Sequence, residues 1–241
     1  MAMKIKHCVL AVFVLVAAGC KAQQPAELKK PEPTVILKPK YALLTAEQRK
    51  QLGFPADLIA GVELAAGAEA EPFFATVLRR TENLKGDTGF ESQKLAGFSV
   101  HAKKGDELID RFHSGLRVKG FLIFKSHRGV YKNLPDVVTV IKGGTSYDIL
   151  KTQMTEAPNY HLSTASIIAW LKGQQKLAPF TVVGAGPDWV EARFIHSPKN
   201  MNQFARKAIA FAPDVLTHGP RDAEQYVERM KRSNGFLLLW D

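Results

Sequence analysis

Hydrophobic and polar residues along this chain follow two kinds of spacing, one typical of amphipathic helices and one typical of buried strands. The patterns predict helices at residues 106–112, 146–154, 163–171, 202–212 and 223–233. Short apolar or β-branched runs predict strands at residues 73–79, 97–100, 120–124, 137–141, 180–183, 189–195 and 236–240. Helices lie between several of these strands, which argues against an all-β fold.

A turn between two of the predicted strands limits the kind of sheet. Residues 184–188 read Gly-Ala-Gly-Pro-Asp, which is a strong signal for a hairpin turn. A hairpin pairs its strands antiparallel, so the sheet cannot be wholly parallel. The pattern therefore predicts an α+β fold, with a mixed β-sheet and a C-terminal buried strand packed with amphipathic helices.

The last helix and the last strand carry clear boundary signals. Asp222 is placed to cap the helix, with Gln225 at the third position of its first turn, and Gly235 is expected to end it. The five apolar residues 236–240 then predict a strand buried on both faces. We expect the rest of the domain to be built around this strand.

The first part of the body is harder to interpret. Thr45 and Gln48 have the spacing of a capping box and predict a short helix. Residues 57–70 are alanine-rich and ambiguous, and the polar segment 80–94, with two glycines, is predicted to be a loop. We treat residues 45–95 as an N-terminal portion, followed by the α+β domain at 96–241.

The start of the chain has the features of a secretory signal peptide. Residues 1–7 contain two lysines and no acid, residues 9–18 are continuously apolar, and small residues lead into Cys20. About ten apolar residues are too few to span a bilayer, for which ~20 are needed. Residues 1–19 are therefore predicted to be cleaved.

Small residues running directly into cysteine resemble the lipobox of bacterial lipoproteins. The resemblance implies cleavage before Cys20 and lipidation of that residue, including palmitate, so that the protein is anchored in a membrane. The alternative is a plain signal peptide that leaves Cys20 as a free thiol, a liability in an exported protein. Lys21 occupies the position where the inner-membrane retention pattern has aspartate. We therefore expect the periplasmic face of the outer membrane.

Residues 20–44 are predicted to be a lipidated tether rich in proline and lysine, because such a composition cannot bury a core. The net charge of +10 falls to +8 when residues 1–19 and their two lysines are removed. A basic protein can bind nucleic acid, but basic and aromatic residues are not interleaved in the body. We expect no nucleic-acid partner, and the lysines act either as solvated linker charges or as contacts to anionic lipid.

Residue counts and spacings exclude several chemistries. The other cysteine, Cys8, leaves with the signal peptide, so the mature domain has neither a disulfide nor a cysteine nucleophile. The histidines lack the spacing of metalloprotease sites, and no serine lies in a Gly-x-Ser-x-Gly motif. We therefore predict no catalytic residue, no metal and no cofactor, although a metal site assembled in space remains possible.

Several short motifs occur in a fixed order over roughly residues 105–241. They are Thr-Glu-Ala-Pro-Asn-Tyr-His at 155–161, Gly-Ala-Gly-Pro-Asp-Trp-Val-Glu at 184–191, Phe-Ala at 204–205, Phe-Ala-Pro-Asp-Val at 211–215, His-Gly at 218–219 and Leu-Trp-Asp at 239–241. This order resembles the family catalogued as domain of unknown function 4253. The family implies no activity that can be transferred.

Three residues depart from the family pattern. Ala212 stands where the family often has cysteine, His161 where it commonly has aspartate, and Leu239 where it often has tryptophan. A function that depended on the cysteine is therefore absent from this chain.

Six polar residues within these motifs form the candidate site. We consider that they converge at one edge of the sheet as a polar cleft for a ligand or partner: Asn159, Tyr160, Asp188, Glu191, Asp214 and Asp241. The alternative is that they serve as turn and capping residues.

The sequence favours a non-catalytic module that binds a small molecule or a protein and is tethered to the membrane in the periplasm. One alternative is a periplasmic hydrolase that uses a carboxylate pair such as Asp188 and Glu191, or Asp214 with His218. Another is an immunity-type protein that neutralises a toxin, which is suggested only by analogy at the level of fold.

Overall fold

The computed structural model describes residues 42–81, 88–129 and 134–241. The predicted signal peptide 1–19, the lipidation site Cys20 and the tether up to residue 41 lie outside the described residues.

Helices and strands alternate through the described part of the chain. The helices are α1 (Ala46–Leu52), α2 (Ala56–Ala66), α3 (Gly105–Arg117), α4 (Tyr147–Gln153), α5 (Thr164–Gln175), α6 (Met201–Phe211) and α7 (Ala223–Ser233). The strands are β1 (Glu71–Thr81), β2 (Thr88–Ala102), β3 (Phe121–His127), β4 (Asp136–Lys142), β5 (Phe180–Ala185), β6 (Trp189–Phe194) and β7 (Gly235–Leu239). Short 3₁₀ turns occupy Pro158–Tyr160 and Pro213–Leu216.

The strands form one mixed sheet in the order β1-β2-β4-β3-β5-β6-β7. Strands β3 and β5 are parallel, with Lys125 opposite Gly184, and the other neighbouring pairs are antiparallel. The sheet therefore has an antiparallel half on each side of the β3–β5 junction. The predicted α+β fold and the predicted hairpin between β5 and β6 are both confirmed.

Helices cover both faces of the sheet, and two apolar clusters result. In β3, Leu122 and Phe124 belong to the cluster under α4, α5 and α6, whereas Ile123 belongs to the cluster under α1, α2 and α3. This alternation follows from the two-residue period of a strand. Each fully buried side chain of this size contributes about 1.5–3 kcal/mol to folding.

The expectation that the domain is built around residues 236–240 is wrong in one respect. Strand β7 is buried as predicted, but it lies at the edge of the sheet and pairs only with β6. Helix α7 covers it, and the hydroxyl of Tyr226 donates a hydrogen bond of 2.7 Å to the carbonyl oxygen of Leu237. A covered edge strand has an apolar sequence, as a central strand does, so sequence alone did not separate the two.

The boundary between α7 and β7 also differs from the prediction. Asp222 caps the helix as expected, but the helix ends at Ser233, and its C-cap is Asn234, which has a left-handed backbone (φ 46°). Gly235 is already the first residue of the strand. A Cβ at Gly235 would lie 2.3 Å from the carbonyl oxygen of Ala192, so glycine is required by close strand pairing and not by the helix end.

The N-terminal portion was predicted in part. The capping box of Thr45 and Gln48 is present, and 57–70 resolves into α2 and a loop. The predicted loop at 80–94 is wrong for 80–81 and 88–94, because β1 reaches Thr81 and β2 begins at Thr88, and residues 82–87 lie outside the described residues. Strand β2 pairs with β4 only from Gly97 onward, so the residues of β2 before Gly97 pair with β1 alone. These residues lack the apolar sequence of a buried strand.

Candidate functional site

The six polar residues predicted to share a cleft lie in two places. Asn159, Tyr160, Asp214 and Asp241 come together beside the end of β7, and Asp188 joins them through its backbone. Glu191 is instead part of a charged network beside β3. The prediction thus grouped Glu191 with the wrong neighbours, because this residue lies inside β6, whereas Asp188 precedes the strand.

The first group, here called the β7-end cluster, is centred on Asp214. Its Oδ2 accepts a hydrogen bond of 2.8 Å from the Tyr160 hydroxyl and one of 2.7 Å from the backbone amide of Asp241. The side-chain amide of Asn159 donates to the backbone oxygen of Asp241 at 3.3 Å. The polar groups therefore bind one another and fasten the end of β7 to the two 3₁₀ turns.

Trp240 anchors the same region from inside. Its side chain is buried, and its indole Nε1 donates a hydrogen bond of 2.9 Å to the carbonyl oxygen of Phe211. Its backbone amide donates a hydrogen bond of 2.9 Å to the carbonyl oxygen of Asp188. The indole packs edge-to-face on the Phe211 ring, with centroids 5.5 Å apart. The hydrogen bond to Asp214 raises the pKa of Tyr160, so the hydroxyl stays a donor at neutral pH.

His218 is a further member of the β7-end cluster, and its Nε2 lies 2.8 Å from Oδ2 of Asp241. Both side chains are largely exposed to solvent. Such exposed pairs contribute little to stability, typically about 0–1 kcal/mol. This pair is therefore a contact on the protein surface that links His218 to the last residue, and it does not form a cleft.

The second group is a charged network around Lys125. The ammonium Nζ of Lys125 lies 2.9 Å from Oδ1 of Asp106, 3.1 Å from Oε2 of Glu191 and 3.8 Å from Oδ2 of Asp136. Only 7% of the lysine side chain is exposed, although it is a charged group in a strand. Burial of a lone ammonium costs several kcal/mol, so this position requires the surrounding carboxylates.

The ionisation of this network follows from burial and pairing. Burial alone would lower the pKa of Lys125, but the charge of Glu191 and the hydrogen bond to Asp106 outweigh it and raise the pKa. Burial would likewise raise the pKa of Asp106, but Lys125 and Arg193 lower it overall. Arg193 also pairs with Asp110 on α3. Lys125 and Asp106 are therefore charged at neutral pH.

A cavity of about 210 Å³ opens beside this network, between α7 and the strands. Charged side chains line one part of its wall: Asp106, Lys125, Arg128, Glu191, Arg193 and Arg229. Residues of α7 and β7 line another part, among them Tyr226, Met230 and Leu237. The accessible wall of this cavity is mainly polar, and converging charged groups in a concave site are one feature of ligand sites.

Glycines leave space beside two arginines of the cavity wall. The Arg128 guanidinium lies over the Trp189 ring, 5.8 Å from its centroid, and that ring packs against Gly186, where a Cβ would lie 2.1 Å from the indole nitrogen. Arg229 lies against Gly219, where a Cβ would be 2.7 Å from Nη1. Both glycines belong to motifs of the sequence, and Gly186 leaves room for the Trp189 ring whereas Gly219 leaves room for Arg229.

Sequence reasoning missed Lys125, Arg128, Arg193 and Arg229. A signal was present in β6, where Glu191 and Arg193 alternate with buried residues inside a strand that helices cover. Lys125 likewise continues the apolar run of β3. A charged residue inside such a strand needs a partner of opposite charge, but its identity depends on which strands are neighbours.

Over the three described segments, we find no group of three histidine, cysteine, aspartate or glutamate side chains arranged to hold a metal ion. The helices described there also include none that is long and apolar enough to cross a membrane.

Comparison with known proteins identifies part of the chain. Residues 137–241 match the family model described as Domain of unknown function (DUF4253). The match begins in β4 and includes all the motifs from 155 onward, which confirms the resemblance for that segment. No curated protein and no solved structure matches the chain significantly.

Proposed function

We propose that the protein is a non-catalytic binding module, anchored by lipid on Cys20 to the periplasmic face of the outer membrane. The leader sequence and the small residues before Cys20 support the anchor, and the Pro/Lys-rich tether supports a domain held at some distance from the membrane. The ligand site is the cavity beside Lys125.

The observation that carries this proposal is the cavity itself. Glu191 and Arg193 of β6 and Lys125 of β3 fix its polar wall on rigid strands, and the ion pairs hold their side chains in place. Preorganised groups on regular elements bind a small molecule at low entropic cost. The exposed β7-end cluster lacks this character, because its polar groups already bind one another.

Binding is favoured over hydrolysis by the state of the carboxylates. General acid–base catalysis needs two carboxyl groups, or a carboxyl and a histidine, that reach one substrate with separated pKa values. Here Glu191 is bound to Lys125, and Asp214 accepts hydrogen bonds from Tyr160 and the Asp241 amide. These contacts hold both carboxylates in structural roles.

The test is a thermal-shift screen of the purified full chain against small neutral, cationic and anionic compounds. Ser233 lines the cavity at the end of α7, and Ser233→Trp is designed to fill it. A ligand of the cavity should raise the Tm of the wild type and leave that of Ser233→Trp unchanged, because a compound that binds only the folded state stabilises it.

The matched control is Ser197→Trp, which adds the same side chain at an exposed position after β6. This variant should respond to the compounds as the wild type does. If compounds of every class shift the wild type and Ser233→Trp equally, or shift neither, the cavity is not a ligand site and the proposal is wrong.

A further inference from the structure

We infer that the cavity binds a small oxyanion, a carboxylate or phosphate group, between the guanidinium groups of Arg128 and Arg229, an assignment that rests on the binding function proposed above. A guanidinium offers two parallel N–H groups that match the oxygens of either anion.

The charges on the cavity wall divide into a neutralised set and a remaining pair. Lys125 is held by Asp106, Asp136 and Glu191, and Arg193 by Asp106 and Asp110. Among the described residues, no carboxylate lies within 4.0 Å of the guanidinium of Arg128 or Arg229. Two cationic groups thus face the same cavity without an anionic partner from that part of the chain.

The surroundings of Arg229 disfavour two positive charges at Arg128 and Arg229. Burial lowers its pKa, the charge of Arg128 lowers it further, and Arg232 adds to the effect, whereas Tyr226 and Glu191 act in the opposite direction. The net result is a guanidinium whose charge is disfavoured relative to that of a solvated arginine. An anion placed between Arg128 and Arg229 would remove the repulsion between them.

Both side chains pack beside other groups of the cavity wall. Trp189 supports Arg128 from one face, and Gly219 leaves the space that Arg229 occupies. The hydroxyl of Tyr226 is bound to the Leu237 carbonyl oxygen and the side chain is fully buried, so it does not compete with the two arginines for a ligand. The site therefore suits a small oxyanion.

The experiment is calorimetric titration of the full chain with inorganic phosphate and, separately, with acetate and benzoate, all at constant ionic strength. Arg128→Gln and Arg229→Gln should each weaken binding of the preferred anion about tenfold to a hundredfold, as expected for loss of a charge-assisted bidentate contact. Arg229→Lys keeps the charge and loses the fork, so it should weaken binding less than Arg229→Gln.

Two variants separate a local site from general charge. Arg206→Gln removes one positive charge from the exposed surface of α6 and should leave the affinity unchanged. Gly219→Ala keeps every charge and should weaken binding, because its Cβ displaces the Arg229 guanidinium. Circular dichroism of each variant shows whether it remains folded.

The arms also identify the source of the oxyanion. Binding of phosphate without binding of acetate or benzoate indicates a phosphate ligand. Binding of acetate or benzoate without binding of phosphate indicates a carboxylic acid. If neutral or cationic compounds bind in the cavity while phosphate and carboxylates do not, the oxyanion assignment is wrong and the binding function stands. Equal weakening by Arg206→Gln and Arg229→Gln would also overturn the assignment, since binding would then follow net charge. Absence of binding in every class overturns both proposals.

Discussion

Lys125 is the residue on which the charged wall of the cavity depends. Its side chain is almost fully buried and contacts three carboxylates that belong to three different elements. A buried ion pair need not stabilise a fold relative to apolar residues, but removal of one partner leaves the others uncompensated.

We predict that Lys125→Met lowers the free energy of unfolding by about 3 kcal/mol, because Glu191 and Asp136 are left in a partly buried site without their cation. Asp106 is more exposed and should add little to the loss. Urea unfolding measures the change. Lys207→Met on exposed α6 is the control, with an expected change within about 0.5 kcal/mol. A loss of that small size for Lys125→Met would contradict the prediction.

The lowered pKa of Asp106 predicts how stability depends on pH. A carboxyl whose folded pKa lies below its unfolded value of about 3.9 stabilises the fold above that value, and the effect is lost as the pH falls through the folded pKa. The destabilisation by Asp106→Asn should therefore be largest near neutrality and shrink below about pH 4. Unfolding from pH 7 to pH 3 checks this. In a Lys125→Met background the pH dependence should weaken, and an unchanged dependence would assign it to other groups.

At the scale of elements, local signals predicted most helices and strands. The capping residues Thr45 and Asp222 and the turn at 184–188 work through neighbours in sequence, so they could be identified without the structure. The edge position of β7 and the meeting of Glu191 with Lys125 depend on strand order, which no local pattern encodes. For this reason the polar residues of the β7-end cluster were largely found, and the cavity was not.

The pairing of β6 with β7 gives a prediction at this scale. Gly235→Ala should destabilise the protein by more than about 1 kcal/mol, because the new Cβ would lie 2.3 Å from the Ala192 carbonyl oxygen. Gly173→Ala on the exposed side of α5 meets no atom within 4 Å and should stabilise by about 0.5–1 kcal/mol. Thermal unfolding compares the two. A similar effect of both substitutions would show that strand pairing tolerates a side chain at position 235.

At the scale of the whole molecule, the cavity combines two parts of the chain. Asp106, Lys125 and Arg128 precede the segment that matches the family, whereas Glu191 and Arg229 lie inside it. The charged wall of this cavity therefore cannot be inferred from residues 137–241 alone. It exists because β3 lies beside β5 in the sheet.

The membrane anchor also concerns the whole molecule and stays a prediction from sequence. Replacement of the nucleophile in Cys20→Ala should abolish incorporation of labelled palmitate and either release the protein in soluble form or leave the precursor uncleaved. Metabolic labelling followed by membrane fractionation measures both results. Cys8→Ala is the control, because that residue lies in the segment predicted to be removed, and it should be labelled as the wild type is. Continued labelling of Cys20→Ala would refute lipidation at this position.

The single parallel junction in the described sheet has a consequence for the order of folding. On either side of β3 and β5 the strands pair antiparallel. At the junction itself, Lys125 of β3 lies opposite Gly184 of β5. Each half can fold around its own antiparallel pair, β3 with β4 in one half and β5 with β6 in the other. The ion pair between Lys125 and Glu191 forms only when the two halves pack together. We therefore expect the contact between Lys125 and Glu191 to form after the rate-limiting step, so that its loss accelerates unfolding and leaves the refolding rate nearly unchanged.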